Sequence, residues 1–305
     1  MRMRKLLRWR WLPAASIYGL LAGCRCCQAA GWLAAGTHQM VQMNYNSDNT
    51  SGACPEVMAA LNACNDGMQG SYGIDDYTLK VAEQLKVVFE TSELQSFPVA
   101  TGTAANAIAT ACTTASYQSL YCTRAAHLYE DESGAPELFS GGCKLITVDE
   151  LQGETDAGKL DPEHLLELLS HVRPIVHESQ PAALSITQPT EYGTVYTLQQ
   201  IRTLAGIARS HNMLFHMDGA RFANALQNLG CSPAEMTWKA GLDCLSFGAT
   251  KNGAMCAESL IFFESAISQV PEGTMQAAKQ EAVSAISCMD HPAHFTAAHS
   301  YMLLA

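Results

Sequence analysis

Two short apolar runs, each ending at a polar residue with chemistry of its own, constrain this chain most. Met213-Leu214-Phe215-His216-Met217 stops at Asp218, and Asp243 to Phe247 runs into Gly248-Ala249-Thr250-Lys251-Asn252-Gly253. Apolar runs this short, bounded by turn residues and separated by a helical stretch, read as buried strands of a parallel sheet. Such strands place Asp218 and Lys251 at one carboxyl edge. In open α/β sheets that edge is where ligands bind.

A lysine flanked by Gly, Ala and Thr, close to apolar neighbours, loses part of the solvation of its ammonium, and its free amine can form a Schiff base. An aspartate at the same edge can keep the ring nitrogen of a pyridine cofactor protonated. Each residue alone has a plainer reading: Asp218 capping a turn, Lys251 on the surface of a glycine-rich loop. The pair, in this order, points to pyridoxal phosphate (PLP). Upstream, a strand-like run through Pro98-Val99 ends in Thr101-Gly102-Thr103, and an alanine-rich helix begins at once. Free N–H groups at a helix start, with glycine allowing close approach, suit a phosphate, so Gly102 and Thr103 are candidate cofactor ligands. This is neither GxGxxG nor a Walker lysine motif, and a dinucleotide or ATP site finds little support.

Between Asn44 and Phe263 stand, in order, SDNTSG, GSYGIDDYT, ATGTAANA, AAHLYEDESGAPE, TQPTEYGTVY, HMDGARFANAL and SFGATKNGA. In this order and at this length they resemble the low-specificity threonine aldolases, PLP enzymes of the aspartate-aminotransferase-like fold (fold type I). The resemblance implies an α/β large domain with a mostly parallel sheet and helices on both faces. It implies that Lys251 carries the cofactor, that Asp218 holds its ring nitrogen, and that His127 stacks on the ring and takes part in proton transfer, directly or through a water. Arg221 is expected to reach a cofactor oxygen or the substrate carboxylate, which Ser47 in the N-terminal arm also touches. The implied reaction is retro-aldol cleavage of L-threonine or L-allo-threonine to glycine and acetaldehyde. A phenylserine-type aldolase and an inactive remnant that keeps the fold are the alternatives. The implied partners are a small amino-acid substrate and copies of the same chain, as a dimer or tetramer with active sites between subunits.

With 305 residues, 48% of them hydrophobic, the chain can bury one large domain and part of a second. Its net charge of −11 argues against a nucleic-acid groove. Twelve cysteines are scattered without the spacing of a disulfide scaffold, as expected for free thiols in a reducing compartment. Residues 1–42 stand apart. A basic stretch, an apolar run and Leu21-Ala22-Gly23-Cys24 have the layout of a lipoprotein signal peptide, followed by a CRCC cluster. The resemblance does not use this segment and the family works in the cytosol. It is therefore expected to be an extension ahead of Met40 or Met43 on a cytoplasmic enzyme, with export through Cys24 as the alternative. Residues 43–264 are expected to form the PLP-binding large domain. After Phe263 the resemblance stops. Residues 265–305, with a helix expected over Gln276 to Ile286, are expected to be a divergent, truncated end without the family's arginine-bearing small domain.

Several further elements are expected. Val57, Leu61 and Cys64 predict a helix after Pro55, and a second helix is expected over Thr78 to Phe89; the resemblance places the loop before it at a subunit interface near the active site, and Asp76 could equally be an ordinary N-cap. Ser119 to Ala126 reads as a strand delivering His127, while Glu130, Asp131 and Glu132 read as a solvated turn rather than a metal site. Strands are expected at Lys144–Val148 and Ala182–Thr187. Asp161 should cap a helix through His171, and Thr197 one through Ser210 that buries Ile201, Leu204 and Ala208.

Overall fold

A computed structural model of the chain describes residues 47–70 and 74–270. The chain divides into two units, Met1–Ser47 and Asp48–Ala305, and the architecture below is that of the second. The signal-like segment, the CRCC cluster, residues 71–73 of the GSYGIDDYT loop and the helix expected at Gln276 to Ile286 lie outside the described residues.

Seven strands form one sheet: β1 (Leu94–Val99), β2 (Gln118–Thr123), β3 (Lys144–Val148), β4 (Gln180–Thr187), β5 (Leu214–Gly219), β6 (Cys244–Gly248) and β7 (Glu258–Phe263). Their order is β1-β7-β6-β5-β4-β2-β3. The pairs β2–β3, β2–β4, β4–β5 and β5–β6 are parallel, and β7 runs antiparallel to both β6 and β1. Six strands therefore point one way and β7 alone is reversed. The carboxyl ends of β4, β5 and β6 lie side by side, with Thr187 beside Asp218 and Asp218 beside Ser246. Pro98, which cannot donate to a ladder, sits in β1 at the sheet edge.

The helices are α1 (Pro55–Cys64), α2 (Asp76–Val88), α3 (Gly102–Thr113), the short α4 (His127–Glu130) and α5 (Ala135–Phe139), α6 (Pro162–His171), α7 (Leu198–Ser210), α8 (Phe222–Leu229), and the short α9 (Pro233–Met236) and α10 (Glu264–Ile267). None among the described residues is long and apolar enough to cross a membrane.

Alternation along the strands makes two unlike faces. On one, Phe215, Met217, Leu184, Ile186, Leu245 and Ile261 pack with Ile201, Leu204 and Ala208 of α7. Phe89 joins Phe222, Phe247 and Phe263 there, at centroid separations of 6.0, 5.7 and 5.6 Å. Burying each phenyl ring contributes about 1.5–3 kcal/mol. On the other face, Leu214, Cys244, Leu260 and Phe262 pack beneath α3. Ser185, His216, Asp218, Ser246 and Glu258 share that face toward the carboxyl edge. Helix α3 is built almost wholly of small residues, so it can lie close to the sheet over these polar groups.

His216 is buried between two hydroxyls, with Nδ1 2.9 Å from Ser185 Oγ and Nε2 3.0 Å from Ser246 Oγ. Burial pushes its pKa down to about 4, so the ring is neutral at pH 7. One neutral imidazole thus ties β4, β5 and β6 together just below Asp218.

Strand β3 and helices α6 and α7 stand at the expected bounds. Asp161 and Thr197 cap the two helices, Thr197 with Gln200 in a reciprocal capping box. Three expectations need correction. Helix α2 is capped by Asp75 rather than Asp76, because Asp75 keeps an extended backbone and accepts from Thr78 N–H at 2.8 Å, while Asp76 is already helical. Helix α1 forms as its spacing predicts, but none of its residues is buried in this chain. Strand β2 ends at Thr123, a turn through Arg124 and Ala125 follows, and His127 opens α4 rather than ending a strand. The reversed strand β7 was not anticipated. Its apolar run is opened by Glu258, and a lone reversed strand leaves no mark in the order of motifs.

Candidate active site

Strand β5 brings Asp218 to the sheet edge at 4% exposure, and both carboxylate oxygens are engaged. Oδ2 accepts from Asn106 Nδ2 at 2.8 Å and Oδ1 from Ala220 N–H at 2.9 Å. The Asp218 carbonyl accepts from Gln188 N–H at 2.9 Å, which pins the TQPTEYG loop to the same strand end. The glycines that close β5 and β6 permit this crowding. A Cβ on Gly219 would lie 2.8 Å from the Ser246 carbonyl, and one on Gly248 would lie 2.9 Å from Ala220 Cα. Neither position can take a side chain without moving the strands apart.

Lys251 follows β6 in a three-residue 3-10 turn, Thr250–Asn252, and is half-buried. Its ε-amino group makes no hydrogen bond or ion pair among the described residues, though its charge is felt by both His127 and Glu258. The carbonyl of Gly253, two residues on, accepts from Cys54 N–H at 2.9 Å, so the segment ahead of α1 braces the lysine turn.

His127 reaches the site from α4. Its N–H donates to Glu191 Oε1 at 2.9 Å, and the same oxygen accepts from Thr187 Oγ1 at 2.7 Å, which joins the start of α4 to the end of β4. The ring is 39% exposed, and its Nδ1 lies 2.9 Å from Glu132 Oε1. That oxygen also accepts from Asn106 Nδ2 at 2.8 Å. The bond to Glu132 raises the pKa of His127, against the opposing effect of partial burial. Burial also raises the pKa of Glu132, and the two shifts pull against each other, because a protonated Glu132 would no longer hold an imidazolium. Two donors on one oxygen favour the carboxylate, so the upward shift on His127 is the direction to hold to.

At the start of α3, Thr101 caps the helix by accepting from Ala104 N–H at 3.1 Å. The N–H groups of Gly102 and Thr103 donate to nothing among the described residues, and a Cβ on Gly102 would meet only Glu258 Oε2, at 3.9 Å. Two unused donors with open space before them, a half-buried unpaired amine and a fixed buried carboxylate match the phosphate, aldehyde and ring nitrogen of PLP. The residues present fit that group.

Arg221 lies just beyond β5, and its Nε donates to Asp48 Oδ2 at 2.5 Å. Ser47 is half-buried, immediately before Asp48. The structure thus gathers Asp218, His127 and Lys251 about one strand edge, adds the start of α3, and holds Arg221 through the aspartate of the SDN motif.

Three contributors escaped sequence reasoning. Glu132, expected on a solvated turn, is 4% exposed, and Asn106 is 1% exposed. Glu258 stands beside Lys251 and Asp218 with its pKa raised, mainly by burial. For Asn106 a signal was available, since an asparagine inside a run of alanines breaks an otherwise apolar helix. A cavity of about 860 Å³ lined by Asp156, Lys159, Tyr192, Tyr196 and Gln200 shares no residue with this group. Its buried Lys159 is held by Asp156 at 2.8 Å and Gln200 at 3.2 Å, so that cation already has its partners and the Lys251 edge is the better candidate for chemistry.

The signature of the beta-eliminating lyases matches residues 44–295. The chain belongs to the beta-eliminating lyase family. Within that family it is 42% identical over 219 residues to the low specificity L-threonine aldolase of Pseudomonas sp. (strain NCIMB 10558), a stretch covering 72% of this chain and 61% of that relative. The chain thus spans less than two thirds of the length of the curated relatives it matches. Among solved structures it resembles the Leishmania major threonine aldolase at a TM-score of 0.68 and 23% identity, covering 85% of this chain and 71% of the other. It also resembles the alanine–glyoxylate aminotransferase of Nostoc sp. at a TM-score of 0.54 and 18% identity, covering 88% of this chain and 71% of the other. These likenesses show the fold: the mostly parallel seven-stranded sheet is that of the fold type I enzymes. In this chain the Asp218–Lys251 pair falls at the carboxyl edge of that sheet.

Proposed function

We propose that this chain is the PLP-binding part of a threonine aldolase, cleaving L-threonine or L-allo-threonine between Cα and Cβ to give glycine and acetaldehyde. The observation that carries this reading is the pairing, at the ends of adjacent strands, of a fully engaged buried Asp218 on β5 with an unpaired Lys251 amine in the turn after β6, near an imidazole that can exchange a proton. Bound PLP supplies the electron-withdrawing ring that takes up the electron pair released when the bond breaks.

The chain's own residues hold and orient. Lys251 provides the amine for the cofactor aldehyde. Asp218, fixed in place by two donors, faces the ring nitrogen. Gly102 and Thr103 offer N–H groups to the phosphate at the start of α3. His127, with Nδ1 turned to Glu132, presents Nε2 to take the proton of the substrate's β-hydroxyl, directly or through a water. Arg221 receives the substrate carboxylate. The precedent for the substrate is the name of the Pseudomonas relative.

The test is borohydride trapping of the purified chain with PLP, location of the adduct by mass spectrometry, and an assay for aldehyde release from L-threonine, L-allo-threonine and phenylserine. An adduct on Lys251 with acetaldehyde release is expected. Adducts spread over many lysines would overturn the cofactor reading, and benzaldehyde release alone would move the substrate to phenylserine. The reading also has copies of the chain assemble. Leu79, Val81, Val87 and Val88 of α2 are exposed, and light scattering should give a mass at least twice 32.8 kDa.

A further inference from the structure

Glu132 and Asn106 touch no reacting atom in the chemistry above, yet they are buried as deeply as Asp218. Placing a carboxylate at 4% exposure is unfavourable by several kcal/mol unless donors replace its water. Here one oxygen, Oε1, takes both donors, from His127 Nδ1 at 2.9 Å and Asn106 Nδ2 at 2.8 Å. The same Asn106 nitrogen donates its second hydrogen to Asp218 at 2.8 Å. Glu132 Oε2 and Asn106 Oδ1 are left without partners among the described residues. A packing role would be filled as well by an apolar side chain. What an acceptor does here, and an apolar side chain cannot, is choose the tautomer of the ring beside it; a carboxylate acceptor also favours the imidazolium. As an acceptor, Oε1 requires the proton on Nδ1, and a neutral ring then carries its lone pair on Nε2.

We infer that Glu132 is the positioning residue of this site: its carboxylate keeps Nδ1 of His127 a donor, so that Nε2 is the atom left to exchange a proton with substrate, and Asn106 ties that carboxylate to Asp218. The inference rests on the reading of His127 as proton acceptor. The charged groups acting on the ring come from three segments: Glu132 after α4, Asp218 on β5 and Lys251 after β6. Among the described residues Glu132 alone bonds the ring itself; Glu191, after β4, bonds only the backbone of His127.

The experiment is a nitrogen-15 NMR titration of the histidines in the full-length, cofactor-free chain, with His127 identified by comparison with His127→Gln. In the unsubstituted protein the neutral ring is expected as the Nδ1–H tautomer, titrating above the ordinary value of about 6.5. In Glu132→Gln the midpoint should fall by about one pH unit or more, and Glu132→Asp should restore part of the shift. The Nε2–H tautomer in the unsubstituted protein would overturn the inference without recourse to any variant. An unchanged midpoint in a folded Glu132→Gln would do the same. Because PLP and threonine are absent, failure of the proposed activity leaves this result readable, and the reverse also holds.

Discussion

Asp218 and Lys251 end adjacent strands, yet the fold holds them in opposite ways. Asp218 is locked: both oxygens and its carbonyl are bonded, and its exposure is 4%. Lys251 rides a three-residue turn and its amine bonds to nothing among the described residues. A group that must only stay charged in one place can be built into the core. An amine that must make and break a covalent bond gains from being left unpaired, since every partner would have to be released first.

This contrast predicts unlike costs. Lys251→Ala should abolish cofactor trapping and lower threonine cleavage by roughly a thousandfold or more, as loss of a covalent catalyst does. Its stability should change by less than about 0.5 kcal/mol, because no hydrogen bond or ion pair is removed. Asp218→Ala should impair activity too, but it also leaves one hydrogen of the Asn106 amide and the Ala220 N–H without an acceptor. Stability should fall by about 2–4 kcal/mol in urea unfolding. Equal destabilisation by the two substitutions would break the comparison.

Much of this architecture was legible. Short apolar runs and their polar ends located β4, β5 and β6, and the Thr-Gly-Thr start located α3, because each rests on local pattern and local caps. The seven motifs placed His127 and Arg221 in the same neighbourhood. What was hidden depends on contacts between distant segments. Glu132 lies in a run of acids that any local rule sends to solvent. Its burial comes from Asn106, 26 residues away, and from α4 folding back over α3. Glu258 belongs to a reversed strand whose direction no period reveals. Arg221 was expected to face an anion from bound ligand, and the anion it meets, Asp48, lies 173 residues earlier in the chain.

His216 sharpens the contrast from within β5, on the same face as Asp218. Folded, it titrates at about 4, where an ordinary histidine has 6.5. The unfolded chain therefore binds a proton the folded chain refuses. Stability from this group is complete above about pH 6.5, is lost as pH falls toward 4, and is level below that, an effect of about 3 kcal/mol at most. Glu258, whose folded pKa is raised by burial, acts in the opposite sense as pH falls through the range below that value. The difference between the unsubstituted chain and His216→Gln, followed by urea unfolding from pH 8 to 4, isolates the histidine. A difference that does not vary with pH would mean that the ring is not held neutral.

The smallest effect is expected at the outer end of the site. Asp48 and Arg221 meet at 2.5 Å, but their side chains are 46% and 35% exposed, so solvent screens the pair. Asp48→Asn should cost less than about 1 kcal/mol of stability, in contrast with Asp218→Ala. Its effect on binding should have the other sign. With the neutral amide in place, Arg221 no longer has a competing anion, and KM for threonine should fall by up to about fivefold, the factor that 1 kcal/mol permits. Steady-state kinetics on Asp48→Asn separates two roles for this aspartate. A lower KM means that Asp48 competes with the substrate carboxylate for Arg221. A higher KM means that Asp48 aims the guanidinium, and the outer rim is then as closely built as the buried floor.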